Sequence, residues 1–356
     1  MKKLNLAVIG QGRSGKQIHG VFYKSEGNEY FNVAYVVESD ESRREKALSD
    51  YSGCKVLSDY RQLFDKKDVD LVVNTTYSDE HYPVTLDLLQ HGFNVLVEKP
   101  FARTRFECDT LIKTAKDNGV LLAVFQQSFL APFYEDVAKV MTDGRIGKIL
   151  QVSIRYNGFG RRWDWQTFQK RCGGGLYNTG PHPVGIALGV LGFDENTNVV
   201  FSRLGRGLTL GDADDYAKLI LTAPNKPVVD VEVSSVDAYT AYNVKIQGTR
   251  GTFKCMTNKY SITYVVDGEN SDRKVEYNFL ADENGEPIYC GENLVKHVEE
   301  GEYKGTAFDV GTREMYKDIY YAITEKKPMR ITAEMAARVI SVIEQAHANN
   351  PLDIKF

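Results

Sequence analysis

Along the first third of the chain, apolar residues gather in short unbroken runs at 4–9, 33–37, 70–74, 94–97 and 120–125. The stretches between them, 15–24, 41–50, 81–91 and 104–118, carry helical spacing. Strands separated by helices of this length imply right-handed crossovers and a parallel sheet. Near residue 126 the pattern changes. A helix at 132–142, opened by Pro132, is followed by strand-like segments at 149–156, 216–222, 228–236, 243–247, 252–255, 260–266 and 274–278. Several alternate apolar with polar residues, as at Glu232, Lys245 and Gln247, the mark of an antiparallel sheet covered on one face. Helices are expected at 175–191, 312–325 and 333–349. The predicted class is α/β, a doubly wound parallel sheet followed by an α+β unit with an open, mostly antiparallel sheet.

At 356 residues the chain exceeds one typical core, which agrees with two units divided between 126 and 132. We assign 1–127 to the first, 128–330 to the second, and 331–356 to a C-terminal helix packing back toward the first. Hydrophobic residues make up 42% and charged residues 26%, an ordinary globular balance. A net charge of -4 without a long basic run argues against nucleic acid and anionic membrane as partners. No stretch approaches the roughly 20 apolar residues of a membrane span, and the run 4–9 is too short for a signal peptide, so a cytoplasmic protein is expected. The five cysteines are scattered, with no Cys-x-x-Cys pair, which points to reduced thiols. The histidines do not cluster and no zinc spacing occurs, so no metal is expected.

The strand 4–9 runs directly into Gly10-Gln11-Gly12-Arg13-Ser14-Gly15, a G-x-G-x-x-G turn between strand and helix. The first glycine permits the turn, the second lets backbone approach a pyrophosphate, and the third lets the helix pack on the sheet. The helix start offers N–H groups to phosphates. The second strand ends at Glu38, where a carboxylate accepts hydrogen bonds from an adenosine ribose diol and repels a 2′-phosphate. NAD is therefore expected, with NADP less favoured. Arg43 and Arg44 could serve a 2′-phosphate or simply form a solvated helix face. A Walker A reading of Gly10 to Lys16 fails because Gln17 stands where a hydroxyl must bind magnesium.

The fourth run ends in Glu98-Lys99-Pro100, at the C-terminal strand end where ligands sit in open α/β sheets. Lys99 is either a surface lysine or a group aimed at the cofactor crevice, and Pro100 is a candidate for a cis bond. Downstream, Gly173-Gly174-Gly175 leads into Asn178 and His182, four apart and expected on one helix face. Both tryptophans lie in Gly158-Phe159-Gly160-Arg161-Arg162-Trp163-Asp164-Trp165, which either packs at an interface or stacks on a sugar ring while Asp164 and the arginines bind hydroxyls.

These motifs resemble the glucose–fructose oxidoreductase, inositol dehydrogenase and rhizopine catabolism family (Gfo/Idh/MocA) over nearly the whole chain. The resemblance also draws on Asn74-Thr75-Thr76 with His81, Gly92 to Val97, Gly144-Arg145-Ile146-Gly147 after Pro132, and Gly248-Thr249-Arg250-Gly251. It implies that Lys99 and His182 are catalytic. It implies cofactor contacts from Gly10, Gly12, Arg13, Ser14, Gly15, Glu38, Arg43, Thr75, Thr76, Tyr77, His81, Glu98, Lys99, Gln127 and Trp165. Substrate contacts would come from Asn157, Trp163, Asp164 and Asn178, and the chain would form a homo-oligomer. The sequence departs from the family pattern at Asn178, where Asp is usual, at Gly185, where a second Asp is common, and at Gln126-Gln127-Ser128-Phe129, which replaces an Arg-rich strand end. The expected substrate is a sugar, glycoside or inositol exchanging a hydride with NAD. Two other readings stay open: a glycoside-cleaving enzyme that holds and recycles NAD, and a non-catalytic NAD sensor.

Overall fold

A computed structural model describes residues 2–356. Its first sheet contains β1 (Leu4–Ile9), β2 (Phe31–Val37), β3 (Lys55–Leu57), β4 (Leu71–Asn74), β5 (Val95–Val97) and β6 (Leu122–Val124), all parallel in the order β3-β2-β1-β4-β5-β6. Residues of β4, β5 and β6 are buried throughout, because helices cover both faces, and this explains their unbroken apolar runs. The sequence reading missed β3, a three-residue edge strand too short to show a period.

A π-helical turn, Arg13–His19, passes into α1 (Gly20–Tyr23), so helical backbone starts two residues before the expected Gly15. There follow α2 (Glu41–Asp50), capped by Asp40, α3 (His81–Gln90), and α4 (Arg105–Asp117), opened by a Thr104–Glu107 capping box.

After α5 (Pro132–Val140) comes the second sheet: β7 (Ile149–Asn157), β8 (Asn198–Gly205), β9 (Tyr216–Thr222), β10 (Val228–Ser234), β11 (Val244–Gly248), β12 (Gly251–Cys255), β13 (Lys259–Tyr264) and β14 (His297–Glu302). The order is β14-β13-β12-β11-β7-β10-β9-β8, and only the β7–β10 pair is parallel. β9 buries alternate residues, Ala217, Leu219 and Leu221, as the period of two requires.

Two expectations are corrected here. Residues 274–278 form no strand, and Val275 and Tyr277 stand fully exposed. The edge of β13 is taken instead by β14, whose Glu-rich sequence hid it. The helix expected at 175–191 is two helices, α6 (Gly175–Asn178) and α7 (Pro181–Val190). Pro181 and Pro183 have no N–H to continue the ladder across the junction. The half-exposed edge strand β8 was also not foreseen.

The last helices bind the halves together. α8 (Thr312–Glu325) buries Met315, Tyr316 and Ile319 in one apolar cluster with Leu6, Val8 and Phe31 of the first sheet. α9 (Ala333–Asn349) lies between α4 and α7, with Glu344 accepting the Arg105 N–H at 2.8 Å. Among the described residues no helix is long and apolar enough to cross a membrane.

Candidate active site

The order of the first sheet reverses between β1 and β4, which places the ligand crevice at their C-terminal ends. The glycine turn sits there. Gly10 has φ +94°, and a Cβ on it would stand 2.8 Å from the Thr75 carbonyl oxygen. On Gly15 a Cβ would lie 2.0 Å from the Gly10 carbonyl oxygen, so neither position admits another residue without rebuilding the turn. At Gly12 nothing stands within 4 Å of a built Cβ, which leaves its backbone facing open space. A groove of about 350 Å³ runs from there, lined by Gln11, Gly12, Arg13, Ser42, Arg43 and Lys46. Ser14 is half-buried beside it on the first helical turn.

Glu38 borders the same turn. Its Oε2 accepts the Gln11 N–H at 2.8 Å, its Oε1 accepts the Asp40 N–H at 3.1 Å, and Arg43 lies 3.7 Å away. The features fit a dinucleotide: open backbone for phosphates, a helix start behind it, and a fixed carboxylate at the end of β2. The buried Oε1 of Gln127 adds a polar atom with no partner among the described residues.

Several residues expected to touch cofactor also shape the strand ends. The Thr75 hydroxyl donates to the Ile9 carbonyl at 2.7 Å, and that of Thr76 to Asn74 Oδ1 at 2.7 Å. His81 is buried, with Nδ1 2.6 Å from the Pro100 carbonyl. Glu98 is 3% exposed; one oxygen meets His19 Nε2 at 3.1 Å and the other accepts the Lys99 N–H at 3.0 Å. Burial would raise the Glu98 carboxyl, but the hydrogen bond and charge of His19, with Lys99 and His81 behind, hold it down at about 2.

The Lys99–Pro100 bond is cis. Lys99 Nζ donates to the backbone carbonyl of Asn178 at 2.8 Å, joining the end of β5 to the end of α6. His182, at the start of α7, places Nδ1 2.8 Å from Ser128 Oγ and stacks on Tyr156. Its Nε2 has no hydrogen-bond partner among the described residues. Burial first, then the charge of Lys99, pushes the His182 imidazole down to about 3, against the pull of Glu98. Burial likewise lowers the Lys99 ammonium, with Arg13 and Arg162 acting in the same direction and Glu98 opposing. The imidazole is thus neutral at neutral pH and able to take a proton. For any reaction that uses this imidazole as a base, the acid limb of kcat/KM should therefore lie well below about pH 6.5, the ordinary histidine value. A pH–rate profile with an inflection near that value, lost in His182→Ala, would contradict the depressed imidazole.

A cavity of about 500 Å³, walled by Tyr156, Arg161, Gln166, Asn178, Thr179 and Ser234 among others, meets this pair through their partners Asn178 and Tyr156; Lys99 and His182 themselves stand behind its wall. Asn178 reaches it with an amide oxygen that accepts from Gln166 Nε2 at 2.9 Å. The tryptophan segment divides. Trp163 is 83% exposed, and Asp164 pairs with Arg162 through both oxygens. Trp165 meets Tyr77 edge-on at 5.0 Å, while Arg171 lies over that Tyr77 ring and bonds Asp79 at 3.1 Å. Neither Trp163 nor Asp164 lines the cavity. Asn157 donates to Glu232 and Asp237, also away from the cavity wall.

Ser128 and Gln166 escaped the sequence reading; they orient His182 and Asn178, and only the Gln126-Gln127-Ser128 departure hinted at the first. His19 and Tyr316, which brace Glu98 from beneath, left no local signal.

Comparison with known proteins places the chain in a family and gives it two relatives and a structural neighbour. Residues 4–126 match an oxidoreductase family with an NAD-binding Rossmann fold, and residues 134–254 match the GFO/IDH/MocA C-terminal domain. The chain is 25% identical over 301 residues to 2,7-anhydro-N-acetylneuraminate hydratase of Mediterraneibacter gnavus, covering 83% of this chain and 78% of that one. It is 24% identical over 347 residues to scyllo-inositol 2-dehydrogenase (NADP(+)) of Bacillus subtilis, covering 96% and 92%. An NAD-binding protein from Listeria innocua shares the fold, with a TM-score of 0.79, 20% identity and coverage of 98% and 99%.

Proposed function

The chain belongs to the Gfo/Idh/MocA family of oxidoreductases, and from that premise we propose that it interconverts a ring alcohol and a ketone on a sugar, glycoside or inositol, using NAD. The observation that carries the reading is the 2.8 Å bond from Lys99 Nζ to Asn178, which sets the strand-end ammonium against the segment bearing His182. Bound dinucleotide would supply the hydride acceptor, held by the glycine turn, Glu38 and Gln127. The chain's own residues do the rest. His182, aligned by Ser128, takes the hydroxyl proton at Nε2. Lys99 hydrogen-bonds the same oxygen as it becomes negative. Asn178 cannot exchange a proton; its amide orients substrate hydroxyls alongside Gln166. The inositol dehydrogenase relative supports a polyol or sugar substrate.

NAD over NADP rests on Glu38, the carboxylate that follows β2 and is tied to the glycine turn through the Gln11 N–H. Glu38→Ala should lower kcat/KM for NAD⁺ at least about tenfold and raise the relative use of NADP⁺. Wild-type preference for NADP⁺, with Arg43 and Lys46 as its ligands, would reverse this assignment.

One observation favours a second reading. Similarity to a hydratase suggests transient oxidation with cofactor regenerated inside the site. A panel of sugars, glycosides and inositols with NAD⁺ or NADP⁺, read by absorbance of reduced cofactor and by product mass, separates the two. Growing absorbance supports the dehydrogenase; altered product without it supports recycling; neither response, with the panel exhausted, removes both.

A further inference from the structure

Among the described residues, Arg161 on the exposed rim of the 500 Å³ cavity is a cation with no partner within the protein. Arg162 is closed off by Asp164 in a two-pronged pair. Asp215 is 8% exposed, and its two oxygens accept the N–H groups of Gly207, Leu208 and Thr209 at 2.6–2.7 Å. Asp214, fully buried behind Gly174 and Gly175, accepts the Leu176 N–H, and burial lifts its carboxyl to about 7, so it carries only part of a charge at neutral pH and sits behind the wall rather than beside a cation of it. Lys99 is held only by a neutral carbonyl oxygen. Arg161 lines the cavity and has neither ion pair nor hydrogen bond among the described residues. A guanidinium left open on a polar wall presents a flat fork of N–H donors, a shape matched by carboxylate or phosphate oxygens rather than by a lone hydroxyl. The groove at Gly12 has its own cation, Arg13, so Arg161 is not needed there.

We propose that the substrate is an anionic ring, a sugar or cyclitol bearing a carboxylate or a phosphate, whose charged group pairs with Arg161 while its alcohol faces Lys99 and His182. This deepens the oxidoreductase reading and rests on it. Serine, threonine and amide groups of the same wall, Thr209, Gln166, Ser234 and Ser235, are left for the ring hydroxyls.

The test compares rings matched except for charge: glucose, glucuronate, glucose 6-phosphate and myo-inositol. Each is assayed for reduction of NAD⁺ and titrated calorimetrically onto the protein. One anionic ring should exceed its neutral parent at least about tenfold in kcat/KM and in affinity, and the carboxylate and phosphate arms tell which anion is taken. Arg161→Met should bring that ratio to within about threefold of unity, Arg161→Lys should keep part of it, and added salt should narrow it. Equal treatment of neutral and anionic rings, or a preference that survives Arg161→Met, overturns the proposal. An anion preference in the calorimeter without cofactor reduction upholds it and rejects the oxidoreductase reading. Turnover of neutral rings alone does the opposite, and silence in both measurements rejects both.

Discussion

Lys99→Ala and His182→Ala are each expected to lower kcat by at least about two orders of magnitude while leaving folding and cofactor binding in place. In the proposed reaction the two side chains act on one oxygen, His182 removing its proton and Lys99 stabilising the charge left behind. Because they act together, the double variant should be little worse than the poorer single one. Ser128→Ala tests the same geometry more gently. It removes the hydroxyl at 2.8 Å from Nδ1, frees the imidazole to turn, and should cost about tenfold, since one neutral hydrogen bond is lost. Cofactor binding followed by fluorescence separates these losses from damage to the groove. Near-normal turnover in both Lys99→Ala and His182→Ala would remove the catalytic assignment.

Tyr316→Ala should cost about 3–5 kcal/mol of stability, the largest loss expected from any single truncation considered. Tyr316 is fully buried on α8 and packs against Phe22 at 4.6 Å, Phe31 at 5.4 Å and Tyr23 at 5.5 Å. Its hydroxyl meets His19 Nδ1 at 2.7 Å and Tyr23 OH at 2.5 Å. Tyr316→Phe keeps the ring and strands those two buried groups, at about 1–3 kcal/mol. The denaturation midpoint measures both. Since His19 passes the contact on to Glu98, and Glu98 holds the Lys99 backbone, Tyr316→Phe should also lower turnover more than its modest stability loss implies. An unchanged kcat would show that α8 supports the fold without bracing the site.

How much of this was readable beforehand depends on how local each cause is. The parallel strands were legible because their apolar runs are the direct consequence of burial on two faces. The glycine turn was legible because clashes between atoms a few residues apart demand glycine at Gly10 and Gly15. β3 and β14 were not, since each is short or acidic and becomes a strand only by pairing with a neighbour already in place. The 175–191 segment reads as one helix by hydropathy, yet its two prolines break the ladder and turn Asn178 and His182 onto separate helices.

By itself the chain determined the parallel sheet, most strands of the second sheet and the glycine turn, because periodicity and glycine sterics are short-range constraints; that Lys99 and His182 belong together came only from the resemblance of their motifs to a family. The tertiary structure alone decided the state of those groups. Ser128 reaches His182 across 54 residues and Tyr316 reaches His19 across 297. Burial and partner choice set a side chain's proton and its orientation, and both depend on neighbours that the chain brings together only when it folds.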